Sequence, residues 1–178
     1  MAKLSDIKTI KVTSMDCYFF DNNIWVFLFA PIAGSNSEKQ KVYSSFLSSI
    51  RSAKATIFTT SLVVSEFANF CLRLSFKQWK EKNGRYEADY KRDYMHTDDY
   101  KNSAEDVKYY IKEILKITEK RPDDYHAIDL DTILENISIV DFNDLYYAEL
   151  CLRNKLKMVT DDRDFIKINS DVEVISLI

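Results

Sequence analysis

The sequence is poor in glycine, proline, cysteine and histidine. Its 178 residues include two glycines, two prolines, three cysteines and two histidines. Two glycines are too few for a glycine-rich loop that cradles nucleotide phosphates. Cys17, Cys71 and Cys151 are odd in number, far apart and set among apolar residues, so we expect reduced core thiols rather than disulfides or a zinc site. His96 and His126 are isolated in a polar stretch, which indicates exposed side chains rather than a catalytic pair.

Long hydrophobic runs and an excess of positive charge are also absent. No apolar run approaches the roughly 20 residues that cross a bilayer, and the opening MAKLSDIKTIKV lacks the apolar region of a signal peptide. We therefore expect a cytoplasmic protein that does not contact membranes. The formal charge of −3 excludes nucleic-acid binding by bulk positive charge, so any such binding needs a local patch or bound cations.

The apolar residues that the chain does have are arranged in short runs. With 46% hydrophobic and 30% charged residues, the chain can bury a sizeable core, and we expect one domain over residues 1–178. Residues 17–20 and 55–60 are strand-forming runs, and a final strand is predicted over 172–178. Residues 1–16 alternate weakly and either add an edge strand or remain mobile. Helical patterns separate the runs, which predicts an α/β fold: a mostly parallel sheet with helices on both faces.

The segment from Ile137 to Phe165 alternates apolar runs with acid-rich turns. It predicts a strand over 137–140, then a helix, then a strand over 156–159. Asp141 stands three residues before Asp144, which indicates a helix start with an acidic first turn. The second strand is followed directly by Thr160, Asp161, Asp162 and Asp164. Because sites form at the carboxyl ends of parallel strands, two turns are expected to deliver carboxylates to one edge of the sheet.

Two further acids stand near predicted strands. Asp21-Asn22-Asn23 follows the first apolar run, and alone it is typical of a turn or a helix cap. Glu66 lies beside the apolar stripe of the helix after the second run. A carboxylate is costly there unless it is paired or coordinated, although a surface pair with a basic residue is the ordinary explanation. Between these acids, Ser35 and Glu38 form a capping box that predicts a helix start.

Residues 73–126 are charged and rich in tyrosine, and they predict a helical excursion. Asn83-Gly84 indicates the end of one helix, and Ser103 indicates the start of a second. Cations and aromatic residues alternate in its first part: Arg73, Lys77, Lys80, Lys82, Arg85, Lys91 and Arg92 with Trp79, Tyr86 and Tyr90. Three interpretations are open: a patch for single-stranded RNA, a solvated helix face, or a docking surface for a protein.

Together, four acidic motifs in this order resemble a PIN domain, most closely the VapC-type toxin ribonucleases. The motifs are Asp21-x-Asn23, Ser65-Glu66-Phe67, Asp144 in NDLYYAELC, and Val159 to Phe165, with Asp162 at the acid position of the family's T-x-D. Asp164-Phe165 match the acid and phenylalanine that commonly follow. The resemblance covers nearly the whole chain. The excursion over 73–126 and the segment before Cys17 depart from it.

The resemblance implies a three-layer PIN-like fold and a metal-dependent endoribonuclease. The implied catalytic and metal-binding residues are Asp21, Glu66, Asp144 and Asp162, with Asn23, Thr160 and Asp164 as auxiliary residues. Four converging carboxylates repel one another and need cations or protons, and oxygen-only ligands favour Mg²⁺ or Mn²⁺ over zinc. The implied setting is a type II toxin–antitoxin pair with an RNA substrate, a cognate antitoxin and a homodimer. A PIN-like nuclease for RNA processing or structured DNA, and a non-catalytic interaction module, are the alternatives.

Overall fold

The structure, a computed structural model, describes residues 2–30, 37–168 and 170–177. Within them six strands form one sheet: β1 (Lys3–Asp6), β2 (Cys17–Phe20), β3 (Thr56–Thr59), β4 (Glu119–Lys120), β5 (Lys157–Val159) and β6 (Glu173–Ser176). The α-helices are α1 (Asn22–Phe29), α2 (Ser37–Ala53), α3 (Ser61–Asn83), α4 (Asp98–Ile117), α5 (Leu130–Asn136) and α6 (Phe142–Asn154). The strand order is β1-β6-β5-β2-β3-β4, and every neighbouring pair is parallel. The predicted α/β fold is confirmed. The predicted capping box falls partly outside the described residues, because Ser35 is not among them.

Both faces of the central strand β2 are covered. Tyr18, Phe19 and Phe20 are each at most 1% exposed. Since successive side chains of a strand point to opposite faces, burying all three requires a packing layer on each side of the sheet. Phe46 of α2 contacts the ring of Tyr18, and Tyr147 of α6 contacts the ring of Phe19, with centroids 5.6 and 5.2 Å apart. Helix α2 therefore covers one face, and α6 covers the other.

The two edge strands differ in how far the sequence predicts them. β1 pairs with β6 along its whole length, so the first residues add an edge strand, which was one of two expectations. β4 pairs with β3 and consists only of Glu119 and Lys120, both exposed. Two charged residues carry no apolar pattern, and this strand therefore gives no signal in the sequence.

The strand predicted over residues 137–140 is wrong. These residues form a turn between α5 and α6, in which the N–H groups of Ile139 and Val140 donate to the Asn136 carbonyl at 2.9 and 3.3 Å. Ile137 and Ile139 are 47% and 56% exposed. The strand beside β3 in the sheet is β4, and the turn at 137–140 follows directly from the end of α5.

The helical excursion over residues 73–126 is built mainly from the end of α3 and from α4, which pack together. Helix α3 ends before Gly84, whose φ of 62° is the left-handed conformation that glycine favours. Helix α4 is capped by Thr97, whose hydroxyl accepts from the Tyr100 N–H at 3.1 Å. The prediction that Ser103 opens this helix is wrong, because Ser103 lies in its second turn and its hydroxyl donates to a carbonyl of the preceding turn.

The structure also describes the surroundings of the cysteines and histidines and the character of the helices. All three cysteines are free, and Cys71 and Cys151 are buried while Cys17 is half-buried, as predicted. His96 and His126 are exposed. In the described part of the chain, no helix combines the length and apolar character that crossing a bilayer requires.

Candidate functional site

Strands β2 and β5 end side by side at the carboxyl edge of the sheet. Phe20 lies opposite Val159 in the parallel ladder, which continues one step further because the Asp21 N–H donates to the Val159 carbonyl at 3.0 Å. Asp21 and Thr160 therefore leave their strands at the same level. Their side chains meet there: the Thr160 hydroxyl donates to Oδ2 of Asp21 at 2.8 Å, and both residues are buried.

Asn23 connects these two strand exits. Its side-chain amide donates to Oδ2 of Asp21 at 2.6 Å and to the Thr160 hydroxyl at 2.9 Å. Its oxygen accepts from the Asp161 N–H at 3.2 Å. The Thr160 hydroxyl also accepts from the Asp162 N–H at 3.0 Å. Asn23 and Thr160 thus fix the loop that carries the exposed Asp162 carboxylate relative to the buried Asp21.

The other two acids of this loop have basic partners. Asp161 accepts from the Lys39 ammonium at 2.5 Å and from the Tyr43 hydroxyl at 2.9 Å, both on α2. Asp164 pairs with Lys167 at 2.6 Å, one turn later in a short 3₁₀ helix. Its N–H donates to the Asp162 carboxylate at 2.8 Å. Asp161 and Asp164 therefore anchor the loop, and their charges are largely offset by lysines.

Glu66 reaches from α3 to α6. The Asn143 side-chain amide donates to Oε1 of Glu66, and the Tyr147 hydroxyl donates to Oε2. Asn143 and Tyr147 are four residues apart, which places them on the same face of the helix. Helix α6 thus delivers two hydrogen-bond donors to Glu66, with Asp144 between them in the sequence.

Asp144 lies in the first turn of α6, as predicted, but it is delivered by a turn and a helix start rather than by a strand exit. The Asp141 carboxylate caps the helix by accepting from the N–H groups of Asn143 and Asp144 at 2.9 and 3.1 Å. Burial is the main reason that the pKa of Asp144 is raised to about 8. Negative charges raise it further, in the order Asp141, Asp21, Asp162 and Glu66.

Asp21 is subject to the same electrostatic environment. Burial raises its pKa to about 6, although hydrogen bonds from Thr160 and from the Asn22 N–H oppose the rise. The charges of Glu66 and Asp162 add to it. The four acids singled out in the sequence therefore lie close enough to repel one another, and two of them hold protons more tightly than ordinary aspartates.

The described residues contain no ready-made metal cluster, because no three His, Cys, Asp or Glu side chains are arranged there to hold one ion. The carboxylate oxygens of Asp21 and Glu66 accept from amide and hydroxyl donors instead. What the four acids share is a donor set of oxygen only, with mutual repulsion that a cation would offset. A donor set of this kind fits a hard divalent cation better than zinc, which prefers nitrogen and sulfur ligands.

Sequence reasoning missed four residues that support this site. Asn143 and Tyr147 could have been found from their spacing, because both lie within one helical turn of Asp144 and therefore on its side of the predicted helix. Lys39 and Tyr43 have the same four-residue spacing on α2. Nothing in the sequence indicates that their face meets the loop after β5.

The aromatic residues of the excursion pack on one another. Ring centroids 5.3–6.2 Å apart connect Phe76, Trp79, Tyr90, Tyr94 and Tyr100. The Arg73 guanidinium lies 4.2 Å from the centroid of Tyr90, and that of Arg85 lies 5.7 Å from Trp79. Trp79 is only 7% exposed, so the idea that it stacks on RNA bases is wrong, whereas Tyr86 is 67% exposed.

The fold has known relatives. The family model described as the PIN domain matches residues 18–170. A structure of VapBC2 from Rickettsia felis, bound to a DNA fragment from its promoter, contains a chain that is 19% identical; the alignment covers 89% of this chain and 98% of that one, with a TM-score of 0.53. PAE2754 from Pyrobaculum aerophilum is 14% identical over 96% of this chain and 90% of that one, with a TM-score of 0.44. No curated protein matches the chain.

Proposed function

The chain belongs to the PIN domain family, and on this premise we propose that it is a Mg²⁺- or Mn²⁺-dependent endoribonuclease that hydrolyses RNA phosphodiester bonds. One observation carries the proposal: the pKa values of Asp21 and Asp144 are raised to about 6 and 8 by burial together with neighbouring carboxylates. Folding in such repulsion is costly, and acids with strongly perturbed pKa values cluster at functional sites. A site for a divalent cation accounts for the cost.

The four acids divide into two pairs in this proposal, and each pair has its own role. Asp21 and Asp162 hold the cation directly, because the Asn23 and Thr160 hydrogen bonds fix their two loops against each other. Glu66 and Asp144 hold a second cation or orient the attacking water. The chemistry that a divalent cation held by these residues would supply is activation of water and neutralisation of charge on the phosphodiester. Asp164 supports the loop through its N–H and through Lys167.

The proposal is tested by incubating purified protein with total cellular RNA. We expect cleavage with millimolar Mg²⁺ or Mn²⁺ and none in EDTA, because the crowded acids cannot act on a phosphodiester without a cation. Sequencing of the new RNA ends maps the cleavage sites and reads out the substrate. Undiminished cleavage in EDTA would contradict the metal dependence.

We further propose that the protein is the toxin of a type II toxin–antitoxin pair, working in the cytoplasm with a cognate antitoxin and as a homodimer. The shared fold with a VapBC2 chain supports this setting, and three free cysteines suit a reducing compartment. Exposed apolar side chains on and beside α5 and α6 support a protein partner: Leu134, Ile137, Ile139 and Leu152 are 41–57% exposed. A small reading frame beside the gene distinguishes this setting from RNA processing.

In this proposal the excursion contacts RNA phosphates through basic side chains that are not stacked on its aromatic rings. Lys77 and Lys91 are exposed and are not among the cations stacked on the aromatic cluster. Replacing both by glutamate is expected to weaken RNA binding. It should also make the negative slope of log affinity against log salt shallower by about 1.4, which is about 0.7 for each lost phosphate contact. Fluorescence anisotropy with single-stranded RNA measures both quantities.

The matched control makes the same charge change on Lys3 and Lys41, which are exposed outside the excursion. An equal loss in both double variants would mean that only net charge matters. An unchanged slope in the Lys77 and Lys91 variant would leave the excursion as a solvated helix face.

A further inference from the structure

Helix α6 does more than carry Asp144. From its first two turns the Asn143 amide and the Tyr147 hydroxyl reach the two oxygens of Glu66, one donor to each oxygen. Both donors come from the helix that carries Asp144, whereas Glu66 itself lies on α3. The position of the Glu66 carboxylate therefore depends on hydrogen bonds from α6 as well as on its own backbone in α3.

The packing around the two donors holds them in place. Tyr147 is 1% exposed, and its ring packs against Phe19 of β2 with centroids 5.2 Å apart. The hydroxyl therefore projects from a ring that is itself fixed by the central strand. Asn143 lies in the first turn of α6, which is held by the Asp141 cap.

The two donors also leave Glu66 able to act. An ionised carboxylate has about four lone-pair positions, and Asn143 and Tyr147 occupy one on each oxygen. These two bonds therefore do not use up the acceptor capacity of the carboxylate. With one donor on each oxygen, the carboxyl group of Glu66 is held in a single orientation.

We infer that Asn143 and Tyr147 are positioning residues that fix Glu66 beside Asp144 for divalent cation binding. The inference rests on the proposed function and deepens it. In this role both residues act through Glu66 rather than by contacting the cation or the RNA. They act as the outer partners that orient ligating carboxylates in metal sites, where loss of one partner typically weakens metal affinity or activity 10–100-fold.

The test removes one hydroxyl from each of two neighbouring tyrosines. Tyr147→Phe deletes the donor to Glu66 and keeps the ring on Phe19. Tyr146→Phe is the matched control, because Tyr146 is 3% exposed and its hydroxyl donates to the Asp123 backbone carbonyl at 2.7 Å, outside the carboxylate group. Isothermal titration calorimetry with Mn²⁺ is the first measurement, and kcat and KM for RNA at saturating Mn²⁺ are the second.

We expect Mn²⁺ to bind Tyr147→Phe at least tenfold more weakly than wild type and Tyr146→Phe within about twofold. At saturating Mn²⁺ the kcat of Tyr147→Phe falls while its KM for RNA is unchanged. Asn143→Leu, which deletes the other donor, is expected to weaken Mn²⁺ binding in the same way, and it tests the inference if Tyr147→Phe fails to fold.

The outcomes distinguish failure of the positioning role from failure of the proposed function. If wild type binds Mn²⁺ and cleaves RNA while Tyr147→Phe and Asn143→Leu behave like Tyr146→Phe, the positioning role is overturned and the proposed function stands. If wild type neither binds Mn²⁺ nor cleaves RNA, the proposed function fails and the positioning role fails with it.

Discussion

Asp162→Asn is expected to reduce metal-dependent RNA cleavage by more than about 100-fold while leaving the fold intact. Loss of an outer hydrogen-bond partner in a metal site costs 10–100-fold, and loss of a charged ligand should cost more. Asp162 is exposed, the hydrogen bond that its carboxylate accepts from the Asp164 N–H is retained by an asparagine oxygen, and the bond from its own N–H to Thr160 does not involve the side chain. Stability should therefore change by less than about 0.5 kcal/mol. Initial cleavage rates and a thermal melt measure the two effects.

Asp21→Asn is the buried counterpart of the same experiment. Asp21 accepts from the Asn22 N–H, the Asn23 amide and the Thr160 hydroxyl. An asparagine oxygen keeps some of these bonds, and the loss of a buried charge offsets part of the rest. A similar loss of cleavage is expected.

Asp171→Asn, at an exposed aspartate outside this group, is the control and should cleave RNA like wild type. Wild-type rates in both Asp21→Asn and Asp162→Asn would remove these acids from the mechanism.

The parts of this site that the sequence predicts are those attached to strong local patterns. Thr160 to Asp162 follow a run of strand-forming residues, which predicts their place at the carboxyl edge of the sheet. Asp21 follows another such run, but alone it is typical of a turn or a helix cap, and it joins the predicted site through the resemblance to the PIN domain. Asp144 is predicted for a different reason: Asp141 three residues earlier indicates a helix start. That signal survives even though the strand predicted before it over residues 137–140 does not exist.

The parts that the sequence does not predict depend on tertiary contacts between distant segments. β4 has two charged residues and exists because its backbone pairs with β3. Tyr147 and Glu66 are 81 positions apart, and only the packing of α6 near α3 brings the hydroxyl to the carboxylate. The cation–aromatic alternation of the excursion suggested an RNA surface, but burying Trp79 is worth more than exposing it, because a large aromatic side chain gains from leaving water.

The stability of the metal-free protein is expected to fall as pH rises from about 4 to about 8. The folded-state pKa values of Asp21 and Asp144 are raised above the ordinary value of 3.8 to about 6 and 8. A raised pKa means that the folded state binds the proton more tightly. The contribution is fully present below pH 3.8 and is lost as pH rises through 6 for Asp21 and 8 for Asp144. Because one pKa unit corresponds to about 1.4 kcal/mol, the free energy of unfolding should fall by about 3 kcal/mol through Asp21 alone.

Mn²⁺ binding should restore the stability that is lost when the acids release their protons. At a free concentration of 100 times its dissociation constant, a cation that binds only the folded state stabilises it by about 2.7 kcal/mol. For a chain of this length, about 1 kcal/mol shifts the Tm by 2–4 °C, so an increase of about 5–10 °C is expected at pH 8. Thermal melts at pH 5 and pH 8, each in EDTA and in millimolar Mn²⁺, measure the pH effect and the cation effect separately.

Asp144→Asn tests how much the ionised Asp144 side chain destabilises the folded state, through its burial first and through the neighbouring acids second. The variant removes one negative charge from the neighbourhood of Asp21, Glu66 and Asp162 without changing the size of the side chain. In EDTA at pH 8 it should therefore melt higher than wild type, and the difference should be smaller at pH 5 and vanish below pH 3.8, where Asp144 is protonated in both the folded and the unfolded state. The Mn²⁺ increase should shrink in the variant because a ligand is lost. Equal melting of the two proteins at pH 8, with and without Mn²⁺, would show that the acids neither repel one another nor share a cation.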